Sequence, residues 1–171
     1  MPSPTLLAVD TNVLLDLAAR DDTVLDCFST LQRKIPNSPI IVLPTVITEL
    51  ADIATDGETE GAKLLAAKAI QSIRNPWGLQ PMNYVPVGHG IVEETARKIR
   101  CAGLLPEQEV NDSFIIAEAA LANITILLSS DGHMTGIDQA ALKRILAACD
   151  LSETIIFSPW KIVNQFFDSA H

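Results

Sequence analysis

Cysteine is scarce in this chain, and the few present form no pattern. Cys27, Cys101 and Cys149 are odd in number, widely spaced and without a CxxC pair. Such usage argues against a disulfide framework and against a zinc site. We therefore expect three small buried hydrophobic side chains in a protein of the reducing cytoplasm.

The sequence also lacks the hydrophobic segments of exported and membrane proteins. Residues 1–5 carry no basic side chain, and the apolar run behind them soon meets Asp10, so a secretory signal is not expected. The most apolar later stretch, Phe114 to Leu128, contains Glu118 and Asn123 and stays below the ~18 uncharged residues of a membrane span. We predict no association with a membrane.

Positive charge is in short supply. The chain has 12 lysine and arginine residues against 21 acidic ones, a net charge of -9, which is unusual for a protein that binds phosphate backbones. Six of the cations nevertheless lie between Ala62 and Arg100, where only Glu93 and Glu94 oppose them. This basic segment is either two solvated helix faces or a surface that guides nucleic acid.

Apolar residues, in contrast, are plentiful. The chain has 171 residues, of which 48% are hydrophobic, so it can bury a sizeable core and is not a disordered chain. This length is ordinary for one domain, and no internal repeat divides it. We predict a single domain over residues 1–171.

Short apolar runs alternate with segments of helical periodicity. Strands are predicted at Leu6–Val9, Ile40–Leu43, Tyr84–Val87, Ile124–Leu128 and Thr154–Phe157. Helices are predicted after Asn12 and at Thr45–Ala54, Gly61–Arg74, Ile91–Cys101, Asn111–Ala122, Asp138–Ala148 and Ser158–Phe167. Strands separated by helices imply an α/β fold, a parallel sheet covered on both faces in three α/β/α layers. Ligands of such sheets collect at the carboxyl ends of the strands.

Acidic residues follow two of the predicted strands. Asp10 comes directly after the first strand and Asp131 just after the fourth, so both carboxylates should emerge at the same edge. Asp112 lies within ~20° of the apolar stripe of its helix, and Glu49 borders the apolar stripe of another. A carboxylate in such a position is costly unless a cation or several hydrogen-bond donors compensate it.

Four converging carboxylates without a matching set of histidines or cysteines favour hard divalent cations. Mg²⁺ and Mn²⁺ prefer oxygen ligands and keep several waters. Such a centre can activate water and neutralise the leaving oxygen of a phosphate ester. The acids therefore predict phosphodiester hydrolysis.

Four short segments resemble the successive motifs of the PIN-domain family. They are Asp10-Thr11-Asn12, Thr48-Glu49-Leu50, Asn111-Asp112 and Ser129-Ser130-Asp131. The resemblance covers nearly the whole chain. It implies strand order 3-2-1-4-5 and metal-dependent cleavage of single-stranded or structured RNA. Members of the family are frequently the toxin of a toxin–antitoxin pair, so the resemblance also implies an antitoxin partner and a homodimer.

The resemblance also assigns roles to individual residues. Metal-binding and catalytic roles fall on Asp10, Glu49, Asp112 and Asp131. Roles in positioning those acids and bound water fall on Thr11, Asn12 and Ser129. Many members have a further acid where His133 stands here, so the number of metal ions, one or two, stays open.

Two other functions remain as alternatives. The first is a non-catalytic PIN-like module that binds RNA or assembles with partners. The second is a phosphoryl-transfer α/β protein, which the sequence disfavours because Asn12 stands where a haloacid-dehalogenase-like phosphatase needs its second aspartate.

Each acid also has an ordinary structural explanation. Asp10 and Asp112 could cap helices, Glu49 could be solvated, and Asp131 could be a turn residue before Gly132. Solvent-facing or capping roles are expected for Asp16, Glu109, Glu118 and Asp138. Packing roles, not base stacking, are expected for Trp77 and Trp160.

Overall fold

A computed structural model describes residues 3–82 and 89–168. The strands are β1 (Leu7–Val9), β2 (Ile40–Val42), β3 (Gln80–Pro81), β4 (Ile126–Leu128) and β5 (Ile155–Phe157). The helices are α1 (Thr11–Ala18), α2 (Asp22–Lys34), α3 (Pro44–Asp56), α4 (Glu60–Ser72), α5 (His89–Cys101), α6 (Val110–Leu121), α7 (Gly132–Thr135), α8 (Gln139–Ala148) and α9 (Pro159–Asp168).

The five strands form one parallel sheet in the order β3-β2-β1-β4-β5. Helices flank it, and the predicted α/β class and strand order are both confirmed. The central strand β1 is buried along its whole length, as expected for a strand covered on both faces. Helix α1 packs against α2, α3 and α4, and α3 packs against α4. Helix α5 packs against α6 and α8, α2 packs against α9, and α3 also contacts α6.

The register of the sheet places three chain segments level at its carboxyl edge. Val9 pairs with Leu128, and Leu128 pairs with Phe157. The next residue of each strand donates its amide across the edge, Asp10 to Leu128 at 2.8 Å and Ser129 to Phe157 at 3.0 Å. Because these three strands are short and their ends are level, the residues that follow them begin at one common rim of the sheet.

Several elements differ from the sequence-based expectation. Helix α2 was not predicted, although Asp21 caps it and it buries Val24, Cys27 and Leu31 at helical spacing. Strand β3 lies at Gln80–Pro81, and the strand predicted at Tyr84–Val87 falls outside the described residues. A proline is tolerated there because β3 is an edge strand. The remaining predicted helices and strands match with shifts of one or two residues at their ends.

The expectation that all three cysteines are buried is wrong for one of them. Cys27 is buried and Cys149 half-buried, but Cys101 is exposed in the last turn of α5. Its position beyond Ile99, the last buried residue of that helix, places it on the solvent side. Within the described ranges, every helix is too short or too polar to cross a membrane.

Edge strand β5 is protected by a side chain of α8. Gln139 donates from Nε2 to the Thr154 carbonyl at 2.7 Å and accepts the Ile156 amide at Oε1. Covering the exposed polar groups of an edge strand prevents unwanted pairing with another chain.

We predict that Gln139→Ala lowers the free energy of unfolding by about 1–2 kcal/mol, because two half-buried backbone groups lose their partners. Urea unfolding measures this change. Gln71→Ala, an exposed glutamine on α4, is the matched control and should stay within about 0.5 kcal/mol of the parent. Equal stabilities of the two variants would contradict this account of the sheet edge.

Candidate metal centre

The four predicted acids come from four different elements and meet above the carboxyl edge of the sheet. Asp10 directly follows β1, Glu49 lies in the second turn of α3, Asp112 in the first turn of α6, and Asp131 caps α7. Their charges interact, since Asp10, Glu49 and Asp131 each help to raise the pKa of Asp112. The sheet and the helices that follow its strands thus bring these carboxylates into one electrostatic cluster.

Asp10 is the most buried member, with only 2% of its surface exposed. Its Oδ1 accepts the Thr11 amide and its Oδ2 accepts the Ser129 hydroxyl, both at 2.7 Å. Burial raises the pKa of Asp10, the hydrogen bonds from Ser129 and Thr11 oppose this rise, and the charge of Asp131 adds to it. The carboxylate is therefore fixed in orientation but incompletely compensated.

Glu49 and Asp112 are also held in environments that disfavour their charge. Burial raises the pKa of Glu49, nearby Thr11 and Asn111 oppose the rise, and Asp10 adds to it. For Asp112, burial and then the charge of Asp10 raise the pKa to about 7. Near neutral pH, this cluster therefore retains a proton that an isolated aspartate would lose.

Asp131 has a structural role as well as a place in the cluster. Its Oδ1 accepts the amides of His133 and Met134 at 2.8 and 3.1 Å, which makes it the cap of α7. The turn role considered from the sequence is therefore real. It uses only one carboxylate oxygen, and the second stays available for another ligand.

The arrangement is open. Among the described residues, no three acidic, histidine or cysteine side chains converge closely enough to hold a metal ion as they stand. A cleft of about 460 Å³ adjoins the cluster between α3 and the start of α6. Glu49 and Asp112 line it, together with Asp52 and Glu109, so its surface is strongly acidic. Asp10, Asp131 and Glu49 are nevertheless near enough for their charges to add to the effect of burial on the pKa of Asp112.

The three residues predicted to support the acids occupy different positions. Ser129 is fully buried and links two of the acids, since its hydroxyl donates to Asp10 and accepts the Asp131 amide at 3.1 Å. The buried Thr11 hydroxyl lies beside Glu49 and lowers the pKa of that carboxyl. Among the described residues, this buried oxygen has no regular hydrogen-bond partner. Asn12 is exposed on α1.

Two contacts that position the cluster were not predicted, although a solvent-facing or capping role was expected for Glu118. Glu118 of α6 accepts the Thr45 amide at 2.8 Å and so caps α3, the helix that carries Glu49. Asn111 lies next to Glu49, as its effect on the pKa of that carboxyl indicates. Thr45 and Glu118 are 73 residues apart, and no local sequence pattern predicts a contact over such a separation. Asp138 caps α8, as expected.

Most cations of the basic segment are engaged within the protein. Lys63 pairs with Glu60, and both Arg97 and Lys98 pair with Glu94. Lys68 donates to the Ala18 carbonyl, and Arg100 donates to the Ser113 hydroxyl. The exposed pairs are weak and can yield to another anion. Fewer of its positive charges are therefore available to bind nucleic acid than its composition suggests.

The packing role expected for both tryptophans holds for one of them. Trp77 packs against the core and lines a cavity of about 550 Å³ near the start of β1 and β2. Trp160, in contrast, is 66% exposed, so the prediction is wrong for this residue. Helix α9 turns Ile162, Val163 and Phe166 toward the core and leaves Trp160 on another face.

Comparisons with known proteins agree with the fold. The family model of the PIN domain matches residues 7–140. The structure is similar to that of VapBC2 from Rickettsia felis, which was solved bound to a promoter DNA fragment. The TM-score is 0.61 and the sequence identity 15%, and the match covers 90% of this chain and 98% of the other.

Two further solved structures are similar. FitAcB from Neisseria gonorrhoeae gives a TM-score of 0.50 and 19% identity, over 90% of this chain and 98% of that one. FitAB bound to the IR36 DNA fragment gives a TM-score of 0.52 and 18% identity, over 90% of this chain and 95% of that one. No curated protein matches the sequence. At these identities the structural likeness concerns the fold.

The raised pKa of Asp112 predicts a pH-dependent penalty in the metal-free protein. The unfolded chain releases this proton near pH 4, whereas the folded protein holds it to about pH 7. The folded state therefore binds more protons across this window, and stability falls as the pH rises through it. With chelator present, we expect Asp112→Asn to stabilise the protein by roughly 1–2 kcal/mol at pH 8 and to have no effect near pH 4.

Urea unfolding across this pH range measures the difference. Asp150→Asn is the matched control, because Asp150 is exposed in the turn before β5 and its φ of 56° suits asparagine as well as aspartate. A gain for Asp112→Asn that is the same at pH 4 and pH 8 would refute the electrostatic explanation.

Proposed function

The chain belongs to the PIN domain family, and we propose that it is a metal-dependent ribonuclease that uses Mg²⁺ or Mn²⁺. In this proposal Asp10, Glu49, Asp112 and Asp131 are the metal-binding and catalytic residues. The observation that carries it is the placement of these carboxylates near one rim of the sheet, where burial, and then the charges of Asp10 and Asp131, raise the pKa of Asp112 to about 7. PIN nucleases generally use divalent metal ions.

The residues fit a hard divalent cation. All the candidate ligands are carboxylate oxygens, which suit Mg²⁺ and Mn²⁺ and disfavour zinc. Mg²⁺ is commonly held through one or two carboxylates and keeps several waters, so it does not require all four acids to converge. The buried Thr11 hydroxyl, which lacks a full protein partner, is placed to accept or donate a bond to such a water.

Each residue contributes a defined part of the chemistry. When bound, the ion polarises the scissile phosphate and generates a water nucleophile. Asp10 is the most rigid ligand, because the Thr11 amide and the Ser129 hydroxyl fix both of its oxygens. Asp112 loses its proton as the cation binds, since a neighbouring positive charge favours the carboxylate. Ser129 keeps Asp10 and Asp131 in register by bonding to both.

The acidic cluster also bears on how a nucleic-acid substrate would bind. Four acids repel a phosphate backbone unless cations neutralise them, so substrate binding and metal binding should be linked. We propose RNA as the substrate, on the PIN-domain motifs of the sequence. We also propose an antitoxin protein as a partner, because the similar solved structures are toxin–antitoxin complexes. A homodimer stays a prediction.

A non-catalytic RNA-binding module is the second candidate. It is favoured by the openness of the cluster, in which no three described ligands converge. It differs from the ribonuclease in one observable, because it would bind RNA without turnover and without response to chelator.

We predict that the purified protein cleaves single-stranded RNA with Mg²⁺ or Mn²⁺ and that EDTA abolishes cleavage. Asp10→Asn, Glu49→Gln and Asp112→Asn should each reduce the rate at least about 100-fold, because each removes a charged metal ligand. Asp131→Asn is informative as well, since asparagine preserves the α7 cap while removing the charge. The readout is the initial rate on a labelled RNA.

Asp150→Asn and Glu58→Gln serve as matched controls, since both side chains are exposed and lie in turns away from the cluster. They should retain the parent rate. Cleavage that persists in EDTA, or that survives in Asp10→Asn and Asp112→Asn, would sink the proposal. RNA binding without turnover would favour the non-catalytic module.

A further inference from the structure

Trp160 is the only aromatic side chain that is exposed in the described part of the chain. It takes no part in either cluster of packed hydrophobic residues, although its helix α9 contributes Ile162, Val163 and Phe166 to the core. The fold therefore does not use the indole ring. A large aromatic surface left in water is the kind of group that ligands commonly cover.

The position of Trp160 relates it to the acidic cluster. Phe157 ends β5 level with Leu128 of β4 and Val9 of β1, and Trp160 follows three residues later in the first turn of α9. Adjacent strands are ~4.8 Å apart, so the end of β5 lies roughly 10 Å from the end of β1, which Asp10 follows. The indole stands on the same rim of the sheet as the carboxylates, two strands away.

A cation accompanies the indole. Lys161 is exposed, and its Nζ lies 4.9 Å from the centre of the Phe157 ring. Its amide donates to the Ser158 hydroxyl at 3.1 Å, so the backbone of this first turn is fixed. Asp131 and Asp16 lie toward the same rim and repel phosphate, Asp16 beside Ser130. Lys161 lies next to Trp160 in sequence, in the same helical turn, and its positive charge offsets part of that repulsion.

An exposed aromatic ring with a cation in the same helical turn suits the binding of single-stranded nucleic acid. Bases stack on the ring, and the cation contacts the phosphate backbone. A protein interface, in contrast, needs a contiguous apolar patch. The other large exposed hydrophobic side chains lie on α4, α5 and α6, and α9 carries none besides Trp160 among its described side chains. The surroundings thus favour a base over a protein surface.

We propose that Trp160 stacks on a base of the RNA substrate next to the scissile region, with Lys161 contacting the adjacent phosphate. The inference rests on the proposed ribonuclease function and adds to it the direction of the strand, which runs from the acidic cluster across the ends of β4 and β5 toward α9. Trp160 is a substrate-binding residue in this account and takes no part in bond cleavage.

The test measures binding of a short, fluorescein-labelled single-stranded RNA of mixed sequence by anisotropy, with Ca²⁺ in place of Mg²⁺ to limit turnover. Trp160→Ala should raise Kd about 5- to 150-fold, the range expected for loss of one stacked base. Trp160→Phe should recover most of the affinity. With Mg²⁺, Trp160→Ala should raise KM by a similar factor and leave kcat within about twofold.

Trp77→Phe is the matched control, because Trp77 lies near the starts of β1 and β2, at the opposite edge of the sheet from the acids. This variant should bind RNA like the parent. An otherwise identical RNA with abasic positions separates stacking from charge. The parent should lose affinity for it, whereas Trp160→Ala should bind both RNAs equally.

An unchanged Kd in Trp160→Ala overturns the proposal. If the sedimentation coefficient of Trp160→Ala also shifts while the Kd is unchanged, Trp160 belongs to a protein–protein contact instead. If the parent cleaves RNA and Trp160→Ala binds it equally well, the stacking site is wrong and the ribonuclease stands. If Trp160 is needed for binding but no RNA is ever cleaved, the stacking site stands and the ribonuclease fails.

Discussion

Repulsion among carboxylates at one rim of the sheet is the constraint on which the site depends. Asp10 is almost fully buried, and the pKa of Asp112 is raised to about 7, because burial and neighbouring negative charges both disfavour the ionised form. Desolvated like charges cost stability in the metal-free protein. In the function proposed above, a divalent cation would remove this cost, and the cost would then contribute to metal affinity.

The fold creates this constraint through very short strands. β1, β4 and β5 have three residues each, and their ends are level, so the residues that follow them share one edge. Ser129 joins neighbouring segments of that edge, and Glu118 ties α6 to the start of α3. The PIN domain thereby positions acids that are distant in sequence, with hydrogen bonds holding the chain in place around them.

The sequence predicted the parts of this structure that depend on local patterns. The apolar strand before Asp10 and the apolar stripe around Asp112 were visible as periodicities, whereas the strand order came from the family resemblance. A capping role for Glu118 was among the expectations, but the helix that it caps could not be predicted, because its partner Thr45 is 73 residues away. The exposure of Trp160 escaped prediction because α9 has apolar residues on more than one face, and only packing decides which face is buried.

Metal binding coupled to proton release is the decisive measurement for the electrostatic role of these carboxylates. Mn²⁺ titrations by calorimetry in buffers of different ionisation enthalpy give the number of protons released per ion. The account predicts release near pH 6, where Asp112 still holds a proton, and almost none near pH 9. Absence of Mn²⁺ binding, or binding with no proton release at pH 6, would contradict it.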